Sequence, residues 1–329
     1  MYGTRIDELK EIDISEIGGL RIGQAEDKEG ATGLTVILSE KGFPAGLDVR
    51  GGGPASRETE LLKPLANAEK VYAVVLGGGS AFGLDAAGGV MQYLEEHDIG
   101  YDVGVTKVPL VVQSDIFDLT VGSMSIRPTK EMGYTACENA FIGEFGNFTQ
   151  GNYGSGIGAS VGKLLGMDYS MKSGIGAYAV QIGDLKVGAV VTVNALGDVY
   201  DPESGEIIAG IYDKESHTFL CGERVLCQSG LKNIGMADNT TIGAIITNAR
   251  FDKTKLSKIA SLGQNGLARA INPVHTTADG DSIYALSVGE VTADINLVGT
   301  LASRVMAYAV RNAILNAEGA YGLISAKDL

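Results

Sequence analysis

The run Leu185-Lys186-Val187-Gly188-Ala189-Val190-Val191-Thr192-Val193 is almost wholly apolar and rich in β-branched residues, so it reads as a strand buried on both faces. Asn194-Ala195-Leu196-Gly197-Asp198 then turns the chain and leaves Asn194 at the strand's exit. Residues 70–76 and the run Ile242-Gly243-Ala244-Ile245-Ile246 have the same character. Strands of this kind need covering layers, which makes a layered α/β fold the expectation. With 45% apolar residues, no Trp and 47 glycines, the interior is built from Val, Ile, Leu and Ala with tight backbone approaches. A length of 329 residues permits one domain or two; we read one, spanning 1–329.

Around these strands, Gly77-Gly78-Gly79 turns the chain into a helix that Ser80 caps and that runs to about His97. A short helix is expected over 134–141, followed by a Gly-punctuated stretch, 151–176, that implies close backbone contacts. From 200 to 238 the chain reads as a polar surface excursion, with turns at Asp201-Pro202, Ser204-Gly205 and Ser229-Gly230. Beyond Thr240 come a strand to Thr247, a turn at 248–252, a helix over 253–271, a strand over 282–288 and a last helix over 291–316. That last helix is apolar at so many positions that burial on more than one side follows.

Charge narrows the function. Acidic residues outnumber basic ones 40 to 26, which argues against nucleic acid and anionic membranes as partners. Residues 240–329 hold 8 basic and 7 acidic residues, leaving 18 and 33 for 1–239, so the excess negative charge lies before Thr240. It serves solubility, or attraction of a cationic amino-terminal substrate. Cys137, Cys221 and Cys227 form neither a paired framework nor a zinc spacing. With no secretory pattern over 1–17 and no long apolar run, the expectation is a soluble cytoplasmic protein.

Several motifs fail on inspection. Gly77, Gly79 and Gly83 miss the dinucleotide fingerprint by one place, and Phe82 occupies the last glycine position of a nucleophile elbow around Ser80. His97, His217 and His275 form no ligand-spaced cluster, and each reads as a surface or loop histidine. No metal or organic cofactor is expected. Asn239-Thr240-Thr241 is different, because it stands at the mouth of a buried strand and Asp279-Gly280-Asp281 follows it. A threonine hydroxyl is a weak nucleophile unless a base takes its proton, and a free α-amine on the same residue, of pKa about 7.7–8.0, can be that base. Breaking the Asn239–Thr240 bond would create it, yielding fragments 1–239 and 240–329.

In Gly78-Gly79-Ser80-Ala81-Phe82-Gly83-Leu84-Asp85-Ala86-Ala87, Gly154-Ser155-Gly156-Ile157-Gly158-Ala159-Ser160-Val161-Gly162-Lys163, Met171-Lys172-Ser173-Gly174-Ile175-Gly176, Val193-Asn194-Ala195-Leu196-Gly197, Asn239-Thr240-Thr241 and Gly266-Leu267-Ala268-Arg269-Ala270 leading to Asp279-Gly280-Asp281, the chain resembles a known family. This is the DmpA-type family of self-processing aminopeptidases, β-aminopeptidases and nylon-oligomer amide hydrolases. The resemblance covers most of the chain. It implies a four-layer αββα sandwich like that of the N-terminal-nucleophile hydrolases, assembled from both fragments, and a ring-like homotetramer. Where some members carry Ser and a Ser-x-Glu pair, this chain has Thr240 and Asp279-Gly280-Asp281, a pattern similar to the nylon-oligomer branch.

The resemblance also implies roles. Thr240 is the nucleophile and its own amine the base; Asn194 donates a side-chain N–H to the oxyanion; Lys163 biases the amine toward its neutral form; Asp279 and Asp281 fix the threonine and the amine. Lys172 competes with Lys163 for the lysine role. The expected activity is hydrolysis of small linear amides or peptides: 6-aminohexanoate oligomers, β-peptides or amino-terminal residues. Two alternatives stay open at this point, an acyl transferase of the ornithine acetyltransferase type and an uncleaved binding protein with the same fold.

Overall fold

The computed structural model describes residues 9–229 and 239–329. The principal strands are Lys10–Ile12 (β1), Arg21–Asp27 (β2), Thr32–Phe43 (β3), Ala45–Val49 (β4), Ala55–Arg57 (β5), Val71–Gly77 (β6), Val111–Asp115 (β7), Ile175–Ile182 (β8), Leu185–Asn194 (β9), Thr240–Ala249 (β10) and Ser282–Val291 (β11). The helices are Ala86–Glu96 (α1), Lys130–Ala140 (α2), Gly222–Ser229 (α3), Lys253–Ala270 (α4) and Ile295–Asn316 (α5). One sheet runs β1-β8-β9-β10-β11-β4 and the other β2-β3-β6-β7-β5.

Side chains alternate along the central strands and sort into three main cores. In β10, Ile242, Ala244 and Ile246 face the space between the sheets, while Ile245 and Ala249 pack under α4 and α5. In β6, Val74 and Leu76 face that same central space and Ala73 and Val75 pack under α1 and α2. The result is the expected αββα sandwich. Its central strands are continuous apolar runs because both of their faces are covered.

The Gly-punctuated stretch makes the close contacts its composition implies. A Cβ on Gly176 would stand 2.2 Å from the Ala309 carbonyl oxygen, so glycine lets α5 lie directly on β8. Elsewhere the expectations need correction. Ser80 does not cap a helix: it opens a 3₁₀ segment, Ser80–Asp85, with φ +53°, and α1 starts only at Ala86. Helix α2 begins at Lys130 because Thr129 caps it by accepting from the Met132 N–H at 3.3 Å. Helix α5 begins at Ile295, after an Asp294 cap, since Val291 still pairs with Ala249. The region after Tyr200 is not wholly a surface excursion, because Ala209, Ile211 and Tyr212 are buried. Of its three turns, the one at Ser229-Gly230 extends outside the described residues, as does the stretch up to 238. No helix among the described residues is long and apolar enough to cross a membrane.

Candidate active site

Antiparallel pairing of β9 with β10 sets Asn194, the last residue of one strand, directly opposite Thr240, the first of the other. On the far side of β10 lies β11, parallel to it, and the Asp279-Gly280-Asp281 turn feeds β11 at the same end of the sheet. Residues far apart in sequence therefore meet because three strand ends coincide.

With Asn239 and Thr240 joined, the backbone of this corner is closely tied. Asn239 N–H donates to the Ala278 carbonyl at 2.8 Å, and Gly280 N–H donates to the Asn239 carbonyl at 2.8 Å. The Thr240 hydroxyl donates to that same Asn239 carbonyl. Thr240 is 4% exposed, so the hydroxyl and the peptide bond before it are shielded from bulk solvent.

In the unbroken chain the two aspartates bond to groups around Thr240. Asp281 Oδ1 accepts from the Thr241 N–H at 2.7 Å, and Oδ2 accepts from the His275 N–H at 3.1 Å and lies 2.8 Å from His275 Nδ1. Asp279 Oδ2 takes both the N–H and the hydroxyl of Thr276, at 2.8 and 2.6 Å. Burial, and then the neighbouring charge of Asp281, hold the Asp279 carboxyl above the ordinary carboxylate range.

Asn194 is fully buried and its amide orientation is forced by its neighbours. Oδ1 accepts from Lys163 Nζ at 2.7 Å and from the Ser160 N–H at 3.1 Å, while Nδ2 donates to the Phe117 carbonyl at 2.9 Å. A second Nδ2 hydrogen remains for another acceptor. Lys163 also donates to the Asn194 carbonyl at 3.2 Å. Burial pulls the Lys163 ammonium down to about 7, against the opposing pull of Asp279 and Asp118.

The two competing lysines differ in what they touch. Lys172 is also pulled down to about 7 by burial, but it donates to the carbonyls of Gly156 and Ala159, each at 3.0 Å, and of Ser173. Backbone carbonyls thus take all three of its donors and fasten the Gly-rich stretch. Lys163, by contrast, reaches the residue opposite Thr240.

Two parts of this corner were not singled out from the sequence. His275, read as a loop histidine, stands against Asp281, six residues on. The loop after β4 clasps the aspartate turn: Arg50 N–H donates to the Asp281 carbonyl at 3.0 Å and Gly53 N–H to the Asp279 carbonyl at 2.9 Å. Gly51-Gly52-Gly53-Pro54 signals a turn in sequence, but nothing local says what that turn holds.

Two covered sheets with helices on both outer faces and a polar cluster at the ends of the central strands place the chain in the class of four-layer αββα proteins with the N-terminal-nucleophile fold. A solved structure supports that class: the L-aminopeptidase D-Ala-esterase/amidase from Ochrobactrum anthropi, described as a variant among the Ntn hydrolase fold, superposes with a TM-score of 0.70. It is 19% identical and the match covers 95% of this chain and 90% of that one. The chain belongs to peptidase family S58, whose sequence model matches residues 13–326, and it is accordingly a hydrolase of peptide or amide bonds. An uncharacterized aminopeptidase of Mycobacterium leprae is 37% identical, over 94% of this chain and 92% of its own length. A 6-aminohexanoate-oligomer endohydrolase of Kocuria sp. (strain KY2) is 32% identical, over 90% and 84%.

Proposed function

We propose that this hydrolase cleaves its own Asn239–Thr240 bond and then uses Thr240 as an amino-terminal nucleophile on small linear amides or peptides with a free amino end. The observation that carries the reading is the Thr240 hydroxyl lying against the Asn239 carbonyl, at a strand entrance directly opposite Asn194. Once freed, the Thr240 amine takes the hydroxyl proton as Oγ attacks the substrate carbonyl, and returns it to the leaving amine. The remaining Nδ2 hydrogen of Asn194 stabilises the oxyanion, and water releases the acyl group by the same route. Lys163 is the site lysine in this reading, supported by its contact with Asn194.

Likeness to the 6-aminohexanoate-oligomer endohydrolase supports linear ω-amino amides as substrates, and likeness to the mycobacterial aminopeptidase supports amino-terminal residues. Cytoplasmic homotetramers of cleaved units complete the proposal.

Denaturing electrophoresis tests it. The 34.2 kDa chain, divided in proportion to its residues, should run as fragments of roughly 25 and 9 kDa, with the smaller beginning Thr-Thr-Ile-Gly-Ala on Edman sequencing. Thr240→Ala should stay full length and inactive, while Thr240→Ser, which keeps a hydroxyl, should cleave and retain part of the activity. A fully active unbroken chain would sink the mechanism. A panel of aminoacyl anilides, β-peptides and 6-aminohexanoate oligomers then separates the substrate classes.

A further inference from the structure

The Asn239 carbonyl oxygen, the atom on which charge would gather if Thr240 attacked its own chain, is held by the Gly280 N–H at 2.8 Å. Asn194, the oxyanion donor expected from the sequence, is turned elsewhere: its Oδ1 faces Lys163 and Ser160, and one Nδ2 hydrogen is spent on the Phe117 carbonyl. We infer that the Gly280 N–H is the oxyanion donor for self-cleavage, so that the site carries two such donors, Gly280 for its own peptide bond and Asn194 for substrates. This rests on the self-cleaving reading above.

The step balances without any further reagent than water. Thr240 Oγ bonds to the Asn239 carbonyl carbon, and the carbonyl π pair moves onto the oxygen facing Gly280. On collapse the carbon–nitrogen bond breaks, the hydroxyl proton ends on the Thr240 nitrogen, and an ester joins Asn239 to Thr240 Oγ. Water then adds to that ester. Asn239 leaves as a carboxylic acid and the hydroxyl of Thr240 is restored beside its new amine.

A donor is worth most when it is already aimed and does not have to reorganise. Gly280 meets that condition because the peptide groups on both sides of it are fastened. Gly53 N–H holds the Asp279 carbonyl at 2.9 Å, and Arg50 N–H holds the Asp281 carbonyl at 3.0 Å. The Ser282 hydroxyl donates to the carbonyl of Gly280 itself at 3.0 Å. Space explains why the residue is glycine: a Cβ would lie 2.8 Å from Thr240 Oγ and 2.7 Å from the Gly53 carbonyl oxygen. The two aspartates thus flank a backbone donor, and their bonds to Thr276, Thr241 and His275 serve to hold it in line.

The test removes the N–H and leaves every side chain in place. Full-length precursor is made by cell-free translation with glycolic acid at position 280, which exchanges the amide for an ester, and fragment release is followed by mass spectrometry against wild type. Self-cleavage should slow by about 10²–10³-fold, the loss typical of one missing oxyanion donor. Cleavage at the wild-type rate would overturn the inference and leave self-cleavage standing. A wild-type precursor that never cleaves would instead overturn the reading on which the inference rests. Should the ester chain fail to fold, the Gly280 amide proton in uncleaved Thr240→Ala precursor decides: slow hydrogen exchange supports the bond, and exchange at the rate of a free amide refutes it.

Discussion

Asn194 joins a lysine, the Ser160 N–H and the carbonyl of Phe117 through one side chain, and its remaining N–H is the group proposed to meet a substrate oxyanion. Asn194→Ala should therefore lower kcat by about 10²–10³-fold in enzyme already confirmed as cleaved and folded. Unchanged kcat would remove it from the site. The pH dependence is argued at the same scale. Activity needs an unprotonated Thr240 amine, so kcat/KM should rise along an acid limb at or below the ordinary 7.7–8.0 of that group. Burial holds Lys163 down to about 7, so this lysine is charged only on the acid side of that limb. Charged Lys163 disfavours a second positive charge nearby, so Lys163→Met should move the limb upward; Asp281→Asn removes a negative charge and should move it downward. Measuring the two profiles checks the signs. A limb that disappears on replacing His275 would transfer the role of base to the imidazole beside Asp281. None of these partnerships is legible from Asn239-Thr240 alone, a common pair that also fits a plain turn.

At the scale of elements, the long covered strands and helices follow closely from hydrophobic pattern. Strand β9 ends at Asn194 and α4 runs Lys253–Ala270, within a residue of their expected limits. The misplaced boundaries share a cause, which is a competing partner invisible in the local sequence. Ser80 is diverted into a 3₁₀ segment because its N–H donates to the Ile116 carbonyl at 2.9 Å, and Val291 stays in β11 because β10 pairs with it. Glycine in β8 carries a prediction of its own. Gly176→Ala would press a methyl group into the Ala309 carbonyl of α5, and overpacking of this kind costs about 1–3 kcal/mol. Urea unfolding of uncleavable Thr240→Ala precursor with and without the change should show that loss; equal midpoints would mean that α5 shifts freely on the sheet.

Across the whole molecule, the proposed cut would fall between strands that remain interleaved. Strand β10, after the cut, pairs with β9, before it, and β11 pairs on its other edge with β4. The cleaved chain should therefore elute as one species from native size exclusion, carrying both fragments, and separate only in denaturant. A free fragment of roughly 9 kDa under native conditions would contradict this arrangement. Sequence by itself determined the layered α/β class, because a strand that is apolar on both faces has to be covered on both. Together with its family resemblance, it also brought Thr240, Asn194, Lys163, Asp279 and Asp281 forward as candidates. Tertiary structure alone decided what these groups touch. Strand register, set over the length of β9 and β10, put Asn194 opposite Thr240, and the parallel neighbour β11 brought the Gly280 N–H onto the Asn239 carbonyl. Such contacts depend on where separate strands end in space, and local propensity carries no record of that.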